Sequence, residues 1–290
     1  MITTPTVFIL GAGASMNYHY PSGKDLVVEI RNNPPDLREF NIAPLEVKAF
    51  TDALHKSDSL SVDAFLEHQP KFLEIGRLSI AQALMKREHE ERLTSDWYQY
   101  LLNCMICPFE HFKDNRVSFI TFNYDRSLEQ YLFTVLCNRY PLKPEDIAAT
   151  LNHFDFVHVH GQLGYLKWQK RDAGESRAYT PDIDRGTLAI AANGIKIISE
   201  KIDGSPEFTK AQELMTKATN IFLLGFGYHH INLKRLGLPL GSKLILGTAL
   251  GFTPAEQQKV QADYRGLSLY LGNALDFLRN MTDFQKSVTH

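Results

Sequence analysis

The sequence predicts an α/β fold, a Rossmann-like parallel sheet with helices on both faces and one helical insertion. Three observations carry that expectation. Short apolar runs recur along the chain and end in small or polar residues, helix-like stretches follow them, and the first run breaks into the turn Gly11-Ala12-Gly13-Ala14-Ser15. Strands that are apolar throughout belong to parallel sheets covered on both faces, and ligands in such sheets collect beyond the carboxyl ends of the strands.

Length and charge narrow the classes. A chain of 290 residues with 44% hydrophobic residues can bury a sizeable core as a single unit, residues 1–290. Its formal net charge of −2, from interspersed acids and bases, offers no basic face for nucleic acid or an anionic membrane. Met1 to Thr6 lacks the basic start of a signal peptide, and no apolar run approaches the roughly 18 residues of a membrane span. A cytoplasmic protein is therefore expected. The three cysteines, Cys104, Cys107 and Cys137, are an odd number and fit reduced thiols.

Val7 to Leu10 form the first strand, and the turn after it is small enough for backbone N–H groups to approach a pyrophosphate. Gly11 permits the tight turn and Gly13 a close approach, while Ser15 either caps the next helix or donates to a phosphate oxygen. Met16 stands at the third position of the common G-x-G-x-x-G fingerprint, so this is not an ordinary dehydrogenase turn; a plain small-residue bend into a helix is the alternative. A second helix begins near Lys24 and ends at Asn33-Pro34-Pro35. From Leu45 to about Phe112 apolar residues recur at three- and four-residue spacing with no strand, which defines the insertion at about 45–112. Within it Ser61 reads as a helix start, and Lys86 to Arg92 as a solvated face or loop.

Val117 to Phe122 is the second strand, running straight into Asn123-Tyr124-Asp125 and a helix through Leu128, Leu132 and Val135. Phe156 to Gly161 is the third, Ile221 to Leu224 the fourth with its own turn Gly225-Phe226-Gly227, Lys243 to Thr248 the fifth and Leu267 to Leu271 the sixth. Trp168 to Asp184 reads as a surface loop, and Glu207 to Lys217 as a helix. Leu275, Phe277, Leu278 and Met281 complete the last helix.

The order GAGAS, TFNYD, HVHG and LLGFGYH resembles the Sir2 family, over a span from Phe8 to about Thr248. In that family a glycine-alanine-glycine loop holds NAD, an Asn-x-Asp strand end faces the nicotinamide ribose, and a His-Gly supplies the base. More narrowly the chain is similar to the bacterial Sir2-like NAD hydrolases of antiphage defence, whose insertion has a stretch like SVDAFLEHQPKFLEIGRLSIAQAL here. The deacetylating members carry a zinc ribbon of two CxxC pairs after the His-Gly, whereas no cysteine follows Cys137, and their TQNID is TFNYD here. The lone pair Cys104 and Cys107 cannot close a four-ligand zinc site and reads as two small apolar residues, so no metal is expected.

The resemblance implies Asn123, His160 and Asp125 as the catalytic residues. Asn123 would orient the ribose hydroxyls or the attacking water, His160 would accept the proton, and Asp125 would hold the nicotinamide carboxamide. Gly11, Ala12, Gly13 and Ser15 would bind the pyrophosphate of NAD, the substrate; Gly225, Phe226, Gly227 and Thr248 would approach its phosphate or adenosine half. Each residue has a plainer reading beside this one. Asn123 and Asp125 are common turn and cap residues, Gly225 to Gly227 suits any strand-to-helix turn, and His158 with His160, His229 and His230 are candidates for a metal site if alternate strand residues share a face. The expected function is NAD hydrolysis to nicotinamide and ADP-ribose by a defence effector that depletes NAD. Its alternatives are a NAD-dependent protein deacylase and a catalytically silent NAD or ADP-ribose binding module. Such an effector needs outside control, so a homo-oligomer and a sensor or activator protein in trans are the expected partners, with the last helix or the insertion as the contact surface.

Overall fold

A computed structural model describes residues 1–170, 174–197, 205–238 and 243–282. The strands are β1 (Thr6–Leu10), β2 (Val117–Thr121), β3 (Phe156–His158), β4 (Asn220–Leu224), β5 (Leu244–Thr248) and β6 (Leu267–Tyr270). They form one six-stranded sheet, parallel throughout, in the order β3-β2-β1-β4-β5-β6. That is the doubly wound order expected of the predicted class, and its direction reverses between β1 and β4, where such sheets open a crevice.

The helices are α1 (Gly23–Asn32), α2 (Pro44–Lys56), α3 (Val62–His68), α4 (Leu73–Met85), α5 (Trp97–Met105), α6 (Ser127–Arg139), α7 (Pro144–Leu151), α8 (Arg185–Gly194), α9 (Pro206–Lys217), α10 (His230–Leu236), α11 (Pro254–Asp263) and α12 (Ala274–Met281). Alternation along each strand divides the core between the two sheet faces. Phe8, Leu10, Phe119, Phe222 and Leu224 pack on α1 to α6 and α12, while Val7, Ile9, Ile120, Ile221 and Leu223 pack on α9 and α10. Every residue of β1 is consequently buried.

The insertion departs from expectation in its place. Phe50, Leu54, Phe65, Phe72, Leu78 and Trp97 share one continuous core with Phe8 and Phe119. Rather than standing outside the sheet, it covers one sheet face. The Ser61 cap within it follows the sequence, its side chain accepting from the Ala64 N–H at the start of α3; ahead of the insertion Ser22 does the same for Asp25 in α1.

Four other expectations are corrected. Lys86 to Arg92 is not simply a solvated face, because Glu88 is completely buried between Arg126 and Arg177. Trp168 to Asp184, whose residues 171–173 lie outside the described ones, is more than a surface loop: Arg177 and Tyr179 are buried, and Trp168 stacks on Phe133 at 5.3 Å. The third strand stops at His158: the Val159 N–H still donates to the Thr121 carbonyl, but a turn closed by the Gly161 N–H on the His158 carbonyl, with Gly161 at a φ of +73°, carries His160 and Gly161 away from the sheet. The sixth strand ends at Tyr270, one residue short of the expected Leu271, which is exposed, while Met281 closes α12 as expected. Helices α7 and α8 are additions to the expected elements, with Ile147 and Leu151, and Leu188, Ala191 and Ala192, buried at helical spacing. Cys104 is buried on α5 and Cys107 lies past its end; both thiols are free, with burial pushing each above its ordinary pKa.

Candidate active site

The carboxyl ends of β1, β2, β3 and β4 are level, with Leu10 beside Thr121 and Leu224, and Thr121 beside His158. That register brings GAGAS, TFNYD, HVHG and GFG to one edge of the sheet.

The two glycine turns lock together across the β1–β4 crevice. Gly11 N–H donates to the Leu224 carbonyl and Gly13 N–H to the Gly225 carbonyl, both at 3.0 Å. Gly225 has a φ of +58°, and a Cβ there would sit 2.0 Å from the Ala14 nitrogen. Only glycine fits. Thr248, at the end of β5, braces the same turn: its Oγ1 accepts from Gly225 N–H at 2.8 Å, and its carbonyl accepts from Tyr228 Oη at 2.9 Å. Phe226 is buried edge-on against Phe122, while Gly227 is exposed. Thr248 and Phe226 therefore shape the turn from behind, and Gly13 and Gly227 face outward.

Where the sequence suggests one helix after the turn, the chain makes two short 3-10 turns, Ala12–Ala14 and Met16–Tyr18. These use the backbone donors internally: Ala14 N–H reaches the Gly11 carbonyl and Ser15 N–H the Ala12 carbonyl. Among Gly11 to Ser15, Ala12 has the one N–H without a protein acceptor among the described residues. Ser15 does not cap a helix with its side chain; it is buried, accepts from Asn123 Nδ2 at 3.1 Å and hydrogen-bonds Asp125. From the insertion, Trp97 Nε1 donates to the Ala14 carbonyl at 2.8 Å and fixes the far side of the loop.

Asn123 is half-buried and tied to that loop. Its Nδ2 donates to the Gly11 carbonyl at 2.9 Å as well as to Ser15, and its N–H donates to Thr121 Oγ1 at 3.0 Å. Its Oδ1 has no partner among the described residues. Asp125 is buried and accepts from the Ser127 N–H and hydroxyl at the start of α6, although the N-cap position itself belongs to Arg126. Burial pushes its carboxyl above the ordinary value, against the Ser127 and Ser15 hydroxyls.

His160 sits among Phe122, Tyr124 and Phe208, with ring centroids 5.5, 6.4 and 6.3 Å away. Its Nδ1 is buried without a hydrogen-bond partner. Burial holds the imidazole below its ordinary pKa, the Asp63 charge opposing this and Arg235 adding to it. The ring is thus neutral near pH 7, the form that accepts a proton. Asp63 comes from α3, where it accepts from Tyr124 Oη, so the insertion supplies a carboxylate to the neighbourhood of His160. His158 faces the opposite way, with Nε2 on Glu129 and Nδ1 on the Asn123 carbonyl. Because the chain leaves the sheet after His158, the two histidines do not share a face and form no common metal site; His229 and His230 are exposed on the approach to α10.

Sequence reasoning missed Asp63, Glu129, Arg126 and Arg177. Arg126 is wholly buried, pairs with Glu88 at 2.7 Å and donates to the carbonyls of Gly164, Arg177 and Ala178, holding the segment after HVHG against α6. A charged residue directly after Asn-Tyr-Asp at a strand end was its one signal. Two cavities lie elsewhere: about 370 Å³ lined by Leu233, Ile245 and Tyr264, and about 420 Å³ lined by Asp96, Gln99 and Arg279. No protein-family model matches the chain, and no curated protein matches it.

Proposed function

We propose that the chain is a NAD hydrolase that releases nicotinamide and ADP-ribose. The observation that carries this reading is the pairing, at one sheet edge, of an amide anchored to a glycine turn with a neutral histidine whose buried nitrogen the protein leaves unsatisfied. Buried polar atoms without partners are uncommon, and a site that awaits a reacting group is one reason to keep one.

The chemistry asks little more of the protein. The C–N bond between ribose and nicotinamide breaks with its electron pair going to the pyridinium nitrogen, so nicotinamide departs neutral. A positive charge develops at the anomeric carbon. Water adds there through its oxygen, and His160 takes the proton that the water loses. Asn123, whose Nδ2 is engaged by Gly11 and Ser15, presents Oδ1 to a ribose hydroxyl or to that water. Asp125, whose carboxyl burial lifts above its ordinary value, orients the carboxamide of the leaving group. The pyrophosphate lies against the outward side of Ala12 and Gly13, with the adenosine half toward Gly227.

Depletion of NAD by such an enzyme suits a defence effector controlled by self-assembly or by a sensor or activator protein in trans. Incubation of the purified chain with NAD, followed by chromatography, tests the reading: nicotinamide and ADP-ribose form in equal amounts without any acylated peptide. Turnover only with an acylated peptide makes it a deacylase. Binding of NAD or ADP-ribose without turnover makes it a silent module.

A further inference from the structure

Behind Asn123 lies a buried acid–base pair. His158, the last residue of β3, has both ring nitrogens on oxygen atoms: Nδ1 is 3.0 Å from the Asn123 carbonyl and Nε2 is 2.6 Å from Glu129 Oε1 on α6. The two side chains are 6% and 4% exposed. A carbonyl oxygen only accepts, so Nδ1 carries a proton. The contact with Glu129 holds one more proton, and imidazole is the stronger base of the two, so that proton resides on the ring. The charged groups facing His158 are Glu129 from α6 and Asp125 from the segment after β2, both acidic. Burial alone pulls the imidazole down, but these charges and the two hydrogen bonds outweigh it and leave the ring above its ordinary pKa.

We propose that Glu129 and His158 are positioning residues, a buried carboxylate–imidazolium pair that fixes the Asn123 peptide and through it the amide that meets the substrate. This rests on the reading of Asn123 as the group that orients the ribose or the water. The side chain of Asn123 hangs on Gly11 and Ser15, and its N–H on Thr121. Its carbonyl has His158. With all of these anchors in place the peptide has no freedom to rotate, and an amide displaced by about 1 Å loses about 100-fold in rate. The pair also couples β3 to α6, so the HVHG and TFNYD motifs act as one unit.

The test joins spectroscopy of the ring to kinetics. In protein labelled with nitrogen-15 histidine, His158 shows both ring nitrogens protonated at pH 7, and Glu129→Gln, which keeps the shape and removes the charge, loses the Nε2 proton. With NAD as substrate, His158→Phe lowers kcat about 100-fold with KM little changed. Glu129→Gln retains the bond to Asn123 and lowers kcat about tenfold. A ring with one protonated nitrogen in the wild-type protein overturns the proposal, as does a folded His158→Phe variant with wild-type kcat. Should His158→Phe fail to fold, a Glu129→Gln variant with wild-type kcat and a doubly protonated ring overturns it equally. If the wild-type chain leaves NAD intact, the side-chain amide signals of Asn123 decide. Their displacement in His158→Phe, and to a smaller extent in Glu129→Gln, supports the pair while the hydrolase reading fails, and unmoved signals in both refute the pair itself.

Discussion

Replacing Gly225 by alanine strikes the contact on which the whole edge rests. The residue has a φ of +58°, where an L side chain costs about 1–2 kcal/mol. The new methyl would also lie 2.0 Å from the Ala14 nitrogen and 2.2 Å from the Gly13 carbonyl carbon. Both are backbone atoms inside a tight turn, so they cannot step aside as a flexible side chain would, and overpacking of this kind adds about 1–3 kcal/mol. The sum, about 2–5 kcal/mol, is a large share of the roughly 5–15 kcal/mol that holds a domain together. Urea unfolding followed by circular dichroism measures it. A loss of about 3 kcal/mol moves the midpoint down by about 1 M for a slope near 3 kcal/mol per molar. Gly227→Ala is the control, because its Cβ would meet nothing closer than His229 at 3.5 Å. That variant keeps its midpoint. A Gly225→Ala midpoint within about 0.2 M of wild type, on the same slope, would refute the reasoning about the locked turns.

Three further outcomes concern the charged groups around the site. Glu88→Ala leaves Arg126 and Arg177 buried without their carboxylate and costs about 3–5 kcal/mol, a fall in Tm of about 10 °C by calorimetry; an unchanged Tm contradicts the burial of the triad. Asp63→Asn keeps an acceptor for Tyr124 but removes the charge that favours protonated His160, so the His160 titration, followed by its ring proton resonance, moves to lower pH; Arg235→Ala moves it up, and no movement in either variant would count against the assigned surroundings. For His158 the folded pKa lies above the unfolded value of about 6.5, so its stabilisation is complete below that pH and is lost as pH rises through the folded pKa. Unfolding curves at successive pH values from 6 upward should show this decline in the wild-type protein and a flatter profile in Glu129→Gln.

The sheet was legible because β1, β2, β4 and β5 are buried along most of their length and read as largely apolar runs. The four motifs at its carboxyl edge followed, since a strand end places its next residues there whatever the rest of the chain does. What stayed hidden depends on tertiary partners. Nothing in Lys86 to Arg92 distinguishes Glu88 from its exposed neighbours until Arg126 and Arg177 arrive from distant segments. His158 and His160 look equivalent by alternation, and only the turn at Gly161 sends one to Glu129 and the other among aromatic rings. Ser15 looked free to cap a helix because the two 3-10 turns, with their internal hydrogen bonds, leave no trace in residue type. That the insertion covers a sheet face was not legible, because helical periodicity says which face of a helix is apolar but not what that face meets.

On the proposed reading, Asn123 and His160 together break the bond between nicotinamide and ribose. Asn123→Ala forfeits hydrogen bonds to Gly11 and Ser15, about 1–2 kcal/mol, which leaves the fold intact by circular dichroism at 25 °C. His160→Ala removes a ring with an unsatisfied nitrogen and likewise keeps the fold. The decisive measurement is nicotinamide release from NAD by the wild-type chain and these two variants side by side, each shown to be folded. Steady release by the wild type and none above background by either variant is the predicted result; release by both variants at the wild-type rate would contradict the account.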